Sequence, residues 1–328
     1  MYDLTVKDKS KIKIGDTLMG EDGTPRRVLD IKNSKGVHYE ITQIKGISYT
    51  VYEDDKLSLC GSTKFLSRSI KYTKGQIVNI TASLYNKETG KFMKHTKGYK
   101  ATLTKLSGNT VINPYLLGLW LADGTSATAE ITVYKNDIEL LNYLRGNDHG
   151  YMVHERDETS RNNCFLIGLK SGFRYLLKEN NLLRNKHIPY IYKSANYNQR
   201  LELLSGLLDG DGYLCHNGYE IVTKFPKLAE DIIYIARSLG FSVSVADKFS
   251  KCQNFEGAYY KRIFISGDTD KLVCKLPRKR ATSREQRKQP LSTGISIKES
   301  AEVSSFNFVL EGGNLYCLSD FTVVHGVG

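Results

Sequence analysis

An α+β chain of two domains, an all-β module interrupted by an α/β insertion, is what three features of this 328-residue sequence predict. Strand-like texture stands at both ends, helical spacing fills the middle, and a nine-residue motif occurs twice in that middle, 88 residues apart. The length suits roughly two domains of about 150 residues each. With 40% apolar and 25% charged residues the chain can bury a core, which excludes wholesale disorder.

From residue 11 to about 106, short runs rich in Val, Ile, Thr and Tyr (RRVLDI, VHYEITQI, ISYTVY, KLSLC) alternate with turn dipeptides such as Asp22-Gly23 and Lys35-Gly36. The same texture returns near the C-terminus in FNFVLEG and LYCLSDFTVV. Between about residues 109 and 287 the apolar residues take helical spacing. There LLGLWLADG (116–124) is answered by LSGLLDGDG (204–212). Asn113 and Pro114 supply a cap and a first-turn proline, Gly124 is placed to end the helix, and Asn198 to cap the second. Each motif is followed by a strand-like stretch (AEITVY; YEIVTKF) and an amphipathic helix (DIELLNYL; LAEDIIYIARSL), so the insertion is an internal duplication. The expected division is 1–108 with 290–328 for the β module and 109–289 for the insertion, whose halves run 109–197 and 198–289.

Forty-seven Lys and Arg against thirty-five Asp and Glu give a net charge of +12, a balance suited to a polyanion such as nucleic acid. The longest apolar run, 115–122, is eight residues, against the ~20 that a membrane-spanning helix needs. The opening MYDLTVKDKS has no apolar h-region, so an intracellular protein without membrane contact is expected. The six cysteines show no zinc spacing and read as small buried apolar residues, neither metal ligands nor catalytic thiols.

Gly118, Ala122, Ser205, Gly206 and Gly210 lack bulk, so two helices built on these motifs can pack closely and end at one level, with Asp123 facing Asp211. Paired carboxylates in a basic protein suit a hard divalent cation, Mg²⁺ above all, with Mn²⁺ as a substitute. The carbonyls of Ala122 and Gly210 are candidate further ligands. Such cations, held between carboxylates and phosphate oxygens, serve in-line phosphodiester hydrolysis.

The two segments resemble the signature helices of the LAGLIDADG homing endonucleases. That resemblance implies a pseudo-two-fold interface, duplex DNA with a long asymmetric target lying across two saddle-shaped sheets, and a monomeric, Mg²⁺-dependent enzyme. Double-strand cleavage leaving 3′ overhangs is implied, with Asp123 and Asp211 as metal-binding catalytic residues. Leu121 departs from the pattern where an acidic residue is common, as Asp209 is in the second copy; that position caps more than it catalyses. Lys186 in RNKHIPYIY and Lys261 in YYKRIFISG match the family's lysines beside the metals, where a cation orients water and offsets developing charge. The nucleus is the expected compartment. KLPRKRATSREQRK (275–288) reads either as a localisation signal or, preferably, as the family's junction between modules.

IKIGDTLMGEDGTPRRV, YEITQIKGISYTVYEDDKLSL, KHTKGYKATL and LYCLSDFTVVHG resemble the splicing module of inteins, which implies a horseshoe-shaped Hint β domain. Splicing is expected to be lost: Met1 and a missing opening block stand for the nucleophile, Asp55 for the block histidine, Gly326 after His325 for the final asparagine, and Val327 for the following nucleophile. The basic segment 64–105 is a candidate DNA contact. Two other readings stay open: a cleavage-dead DNA-binding or maturase derivative, and an intein whose splicing residues lie outside this sequence or were altered.

Overall fold

The computed structural model describes residues 1–34, 36–66, 71–146, 148–157, 163–170, 172–252, 255–286, 288–300 and 305–327. Lys35 of one expected turn, Arg68 of the basic segment and Arg287 of the basic run lie outside the described residues. Packing divides the chain into one unit of Met1–Lys105 with Gln286–Gly328 and another of Leu106–Glu285.

The first unit is built mainly of strands, and strands from both ends of the chain share its sheets. Pro25–Ser34 lies between Thr17–Met19 and Ser305–Glu311, with Phe308 opposite Ile31. His38–Gln43 pairs with Tyr49–Tyr52 on one side and with Ile295–Ser300 on the other. Lys56–Gly61 is bordered by Thr96–Tyr99, Ile77–Thr81 and Val323–His325. Alternation places Leu57, Leu59, Ile41 and Val51 in one core with Tyr72, Tyr85 and Phe92, and Val28, Phe308 and Tyr316 in another. Two short helices (Ala82–Asn86 and Gly90–His95) are capped by Thr81 and Thr89.

The second unit repeats one pattern. The helix Pro114–Asp123 precedes a three-stranded antiparallel sheet (Glu130–Tyr134, Cys164–Leu169, Val153–Asp157). The helix Tyr197–Asp211 precedes a four-stranded one (Tyr213–Cys215, Gly218–Thr223, Phe255–Ser266, Ser242–Cys252). Ile138–Arg145 and Pro226–Ser238 are the expected amphipathic helices. Asn113 caps the first helix, its Oδ1 accepting from the Leu116 N–H at 3.1 Å, and Pro114 opens it. The second helix starts earlier than expected: Asn196, not Asn198, is its cap, with Oδ1 accepting from the Gln199 N–H at 3.0 Å.

Every residue from Pro114 to Leu121 is buried, so the first helix is apolar all round and runs through the core instead of lying on it. Its neighbour is the second helix, and the contact is backbone on backbone. A methyl added at Gly118 would meet the Leu203 carbonyl oxygen at 2.1 Å, and one added at Gly206 would meet the Tyr115 carbonyl oxygen at 2.1 Å. The 88-residue repeat maps each of these contacts onto the other, a self-complementary interface inside one chain. Gly124 and Gly212 end the helices for reasons of space, not handedness: their φ values are −74° and −78°, while an added methyl would strike Trp120 or Leu208.

The cysteines fit the buried-apolar expectation only in part. Cys60 and Cys274 are buried, whereas Cys164, Cys215 and Cys317 are half-buried. Among the described residues no helix is long and apolar enough to cross a membrane.

Gly118→Ala and Gly206→Ala are each expected to cost about 3 kcal/mol or more, because the opposing atoms are backbone and cannot rotate away. Urea unfolding midpoints would show it. The two losses should be similar, since the two contacts are equivalent.

Candidate active site

The two long helices converge at their C-terminal ends. A methyl at Gly210 would stand 2.3 Å from the Ala122 Cβ and 2.8 Å from Asp123 Oδ2. Only a glycine there lets the Asp123 carboxylate lie against the second helix, beside Asp211. Asp123 is half-buried, whereas Asp211 has solvent-exposed surface.

Burial, then the negative charge of Asp211, pushes the Asp123 carboxyl up from the ordinary 3.8 to about 7; Lys279 and Lys186 pull the other way. Burial also raises Asp211, again opposed by Lys186 and Lys279. The helix ends bear partial negative charge of their own, which these carboxylates cannot relieve.

One lysine answers each end. Lys186 Nζ donates to the Ala122 carbonyl at 3.0 Å and lies 5.5 Å from the centre of the Trp120 ring. Lys279 Nζ donates to the carbonyls of Leu208 (3.0 Å), Asp209 (2.5 Å) and Gly210 (2.7 Å), the last turn of the second helix. Burial pulls both ammoniums below the usual lysine range, and Asp123 is among the charges holding each of them up.

One expected site residue stands elsewhere. Lys261 is not brought to this site: it lies on the strand Phe255–Ser266, in register with Asp247, and its Nζ pairs with Asp247 Oδ1 at 2.6 Å. Lys279 holds the corresponding place. Distance along the chain was the missed signal, because Lys186 stands 63 residues beyond Asp123, Lys279 stands 68 beyond Asp211, and Lys261 only 50. The carbonyls of Ala122 and Gly210, the candidate further ligands, accept from Lys186 and Lys279.

Asp209 plays the structural part expected of it. Its Oδ2 accepts from the Tyr115 hydroxyl and from the Lys275 N–H, both at 2.5 Å, and its Oδ1 from the Leu276 N–H at 3.3 Å. Leu121, its counterpart, is simply core. The basic run from Lys275 is thereby folded onto the helix: Lys275 lies over the rings of Tyr143 (4.4 Å) and Tyr115 (4.8 Å), and Arg278 pairs with Asp137 at 2.8 Å.

The donor set fits a hard cation. Two carboxylates whose charges are crowded together offer oxygen alone, and a divalent ion between them would remove the repulsion that raises Asp123. Among the described residues no group of three or more His, Cys, Asp or Glu could hold a metal, so phosphate oxygens and water would complete the shell.

With Asp123 protonated in the fold up to about pH 7 but ionised in the unfolded chain above 3.8, the folded state binds the extra proton in that window, and stability falls as pH rises through it. Asp123→Asn is therefore expected to stabilise the protein at pH 8 by about 1–2 kcal/mol after allowance for solvent screening, and by about zero at pH 4. Thermal midpoints at the two pH values would check it. An equal shift at both would contradict the assigned burial of charge.

Residues 187–289 match the family model described as homing endonuclease. The homothallic switching endonuclease of Saccharomyces cerevisiae is 24% identical over 246 residues, 63% of this chain and 42% of that protein. The replicative DNA helicase DnaB of Mycobacterium intracellulare is 24% identical over 296 residues, 84% of this chain and 47% of the helicase. The chain thus spans less than half the length of either relative. Among solved structures, mesophilic variants of the homing endonuclease I-DmoI are 18% identical and cover 49% of this chain and 86% of their own, at a TM-score of 0.33, too slight a likeness to carry weight. The family match takes in the second of the two motif helices, LSGLLDGDG, whereas LLGLWLADG lies before the matched residues.

Proposed function

We propose that the protein is a site-specific endonuclease that hydrolyses both strands of duplex DNA with a divalent metal ion, leaving 3′ overhangs. One observation carries this reading: two charge-crowded carboxylates, Asp123 and Asp211, meet at the ends of paired helices, each end faced by its own lysine. Asp123 and Asp211 would hold Mg²⁺, or Mn²⁺ in its place, which when bound supplies Lewis-acid stabilisation of charge on the scissile phosphate. Lys186 and Lys279 offer ammonium groups on either side of the carboxylates, where they orient water and offset charge developing on phosphate oxygens. The quasi-two-fold arrangement provides one such lysine for each antiparallel strand.

In the first unit Lys64, Lys71, Lys74, Lys87, Lys91 and Lys94 are exposed, which supports added phosphate contacts, whereas Lys100 is tied to Asp320 at 2.7 Å and Lys105 to Asp22 at 2.8 Å. Contacts of that kind make binding fall steeply with salt.

The same unit, read as a Hint module, no longer splices on this proposal. Asp55 Oδ1 accepts from Asn307 Nδ2 at 2.7 Å and its Oδ2 from the Tyr52 N–H at 2.9 Å, so its carboxylate is spent on holding backbone and side chain. His325 Nε2 lies 2.9 Å from Ser58 Oγ, and Gly326 after it has no amide with which to cyclise.

Cleavage of a randomised DNA library in Mg²⁺ tests the activity and supplies a target. Asp123→Asn and Asp211→Asn should each lower cutting of that target by about 10³-fold or more while leaving affinity within a few-fold, by gel shift. Binding lost in proportion to cutting would contradict their role. Lys279→Ala should slow cutting by about 10²-fold, and Lys261→Ala by less than about threefold, in single-turnover assays. The reverse order would reinstate Lys261.

A further inference from the structure

Asp231 sits within the helix Pro226–Ser238 with 2% of its surface exposed. A carboxylate so buried needs donors, and its donors come from the segment that delivers Lys186. Its Oδ2 accepts from the Ile188 N–H at 2.9 Å, two residues beyond that lysine, and its Oδ1 takes Lys193 Nζ at 2.9 Å. Lys227 Nζ, one turn back on the same helix, stands 3.3 Å away. On the other side of Lys186, Arg184 has a φ of +58°, and its N–H donates to the Ser126 carbonyl at 2.6 Å. A bulky residue in the left-handed region persists only where its surroundings over-determine it. Lys186 is thus slung between two fixed backbone points, with Nζ on the Ala122 carbonyl.

We infer that Asp231 is a positioning residue for Lys186: by gripping the Ile188 amide it keeps the ammonium at the end of the first helix. This rests on the nuclease reading above. Lys279 is held by a different carboxylate, Asp209, through the amides of Lys275 and Leu276. The two lysines are therefore positioned independently. Loss of Asp231 disables the lysine that serves one DNA strand and spares the other.

The test uses a supercoiled plasmid carrying a site recovered by wild-type cleavage of the randomised library, with the rate on each strand followed separately in Mg²⁺. Asp231→Ala should slow one strand about tenfold or more, leave the other within about twofold, and let nicked circles accumulate. The slowed strand should be the one that Lys186→Ala slows, and adding Asp231→Ala to Lys186→Ala should cost nothing further on it. Asp231→Asn keeps an acceptor for the Ile188 amide, so it should show the same bias at about threefold; if Asp231→Ala fails to fold, this variant decides. Equal slowing of both strands, or bias toward the strand that Lys186→Ala spares, overturns the inference. A wild type that cuts nothing, or Lys186→Ala at wild-type rates on both strands, refutes instead the reading on which the inference stands.

Discussion

Backbone contact between the helices Pro114–Asp123 and Tyr197–Asp211 is the constraint from which the rest of the inner unit follows. With Gly118 and Gly206 each under a carbonyl oxygen of the other helix, the axes cannot separate without opening a void or close further without collision. That fixes the level at which both helices end. It also fixes Gly210 against Ala122 and Asp123, and so decides that two acidic residues share one place. Side chains that merely interdigitated would leave slack, and slack between charges this close would let them drift apart.

The electrostatics are a consequence of that closeness. Carboxylates at helix C-termini work against the helix dipole, against burial and against each other. The structure offsets this with Lys186 and Lys279, which satisfy the orphaned carbonyls of the last turns while lending positive charge to the acidic pair. Neither ammonium lies in the usual solvated lysine environment, since burial pulls both down. A site that stores mutual repulsion in this way is tuned toward receiving cations.

The duplication, the caps at Asn113 and Pro114, and the acidic ends at Asp123 and Asp211 were legible because each is a local pattern whose physical meaning does not depend on distant chain. The lysines were legible only in part. Lys186 lies in a segment whose resemblance extends on both sides, whereas Lys279 reaches its carbonyls through a loop fastened by Asp209, a contact between residues some 70 positions apart that no local pattern announces. Asn196 won over Asn198 for a similar reason: either asparagine can cap, and the bridge from Ala195 to Gly108 leaves Asn196 as the extended residue before the helix. That lysines reach the carbonyls of Ala122 and Gly210 was not legible, because sequence shows that a carbonyl exists, not which donor reaches it.

The strands that bracket the insertion are neighbours in the first unit. Tyr99 is paired with Ser292, and the Lys100 N–H donates to the Leu291 carbonyl at 2.9 Å. The polypeptide therefore leaves its β scaffold and re-enters it at a single doorway. For a gene, such a doorway is a permissive address: almost any self-contained cassette whose two ends lie close together could be lodged there, at an entropic expense that grows only with the logarithm of its length. Hosts and guests joined in this manner can change at different speeds.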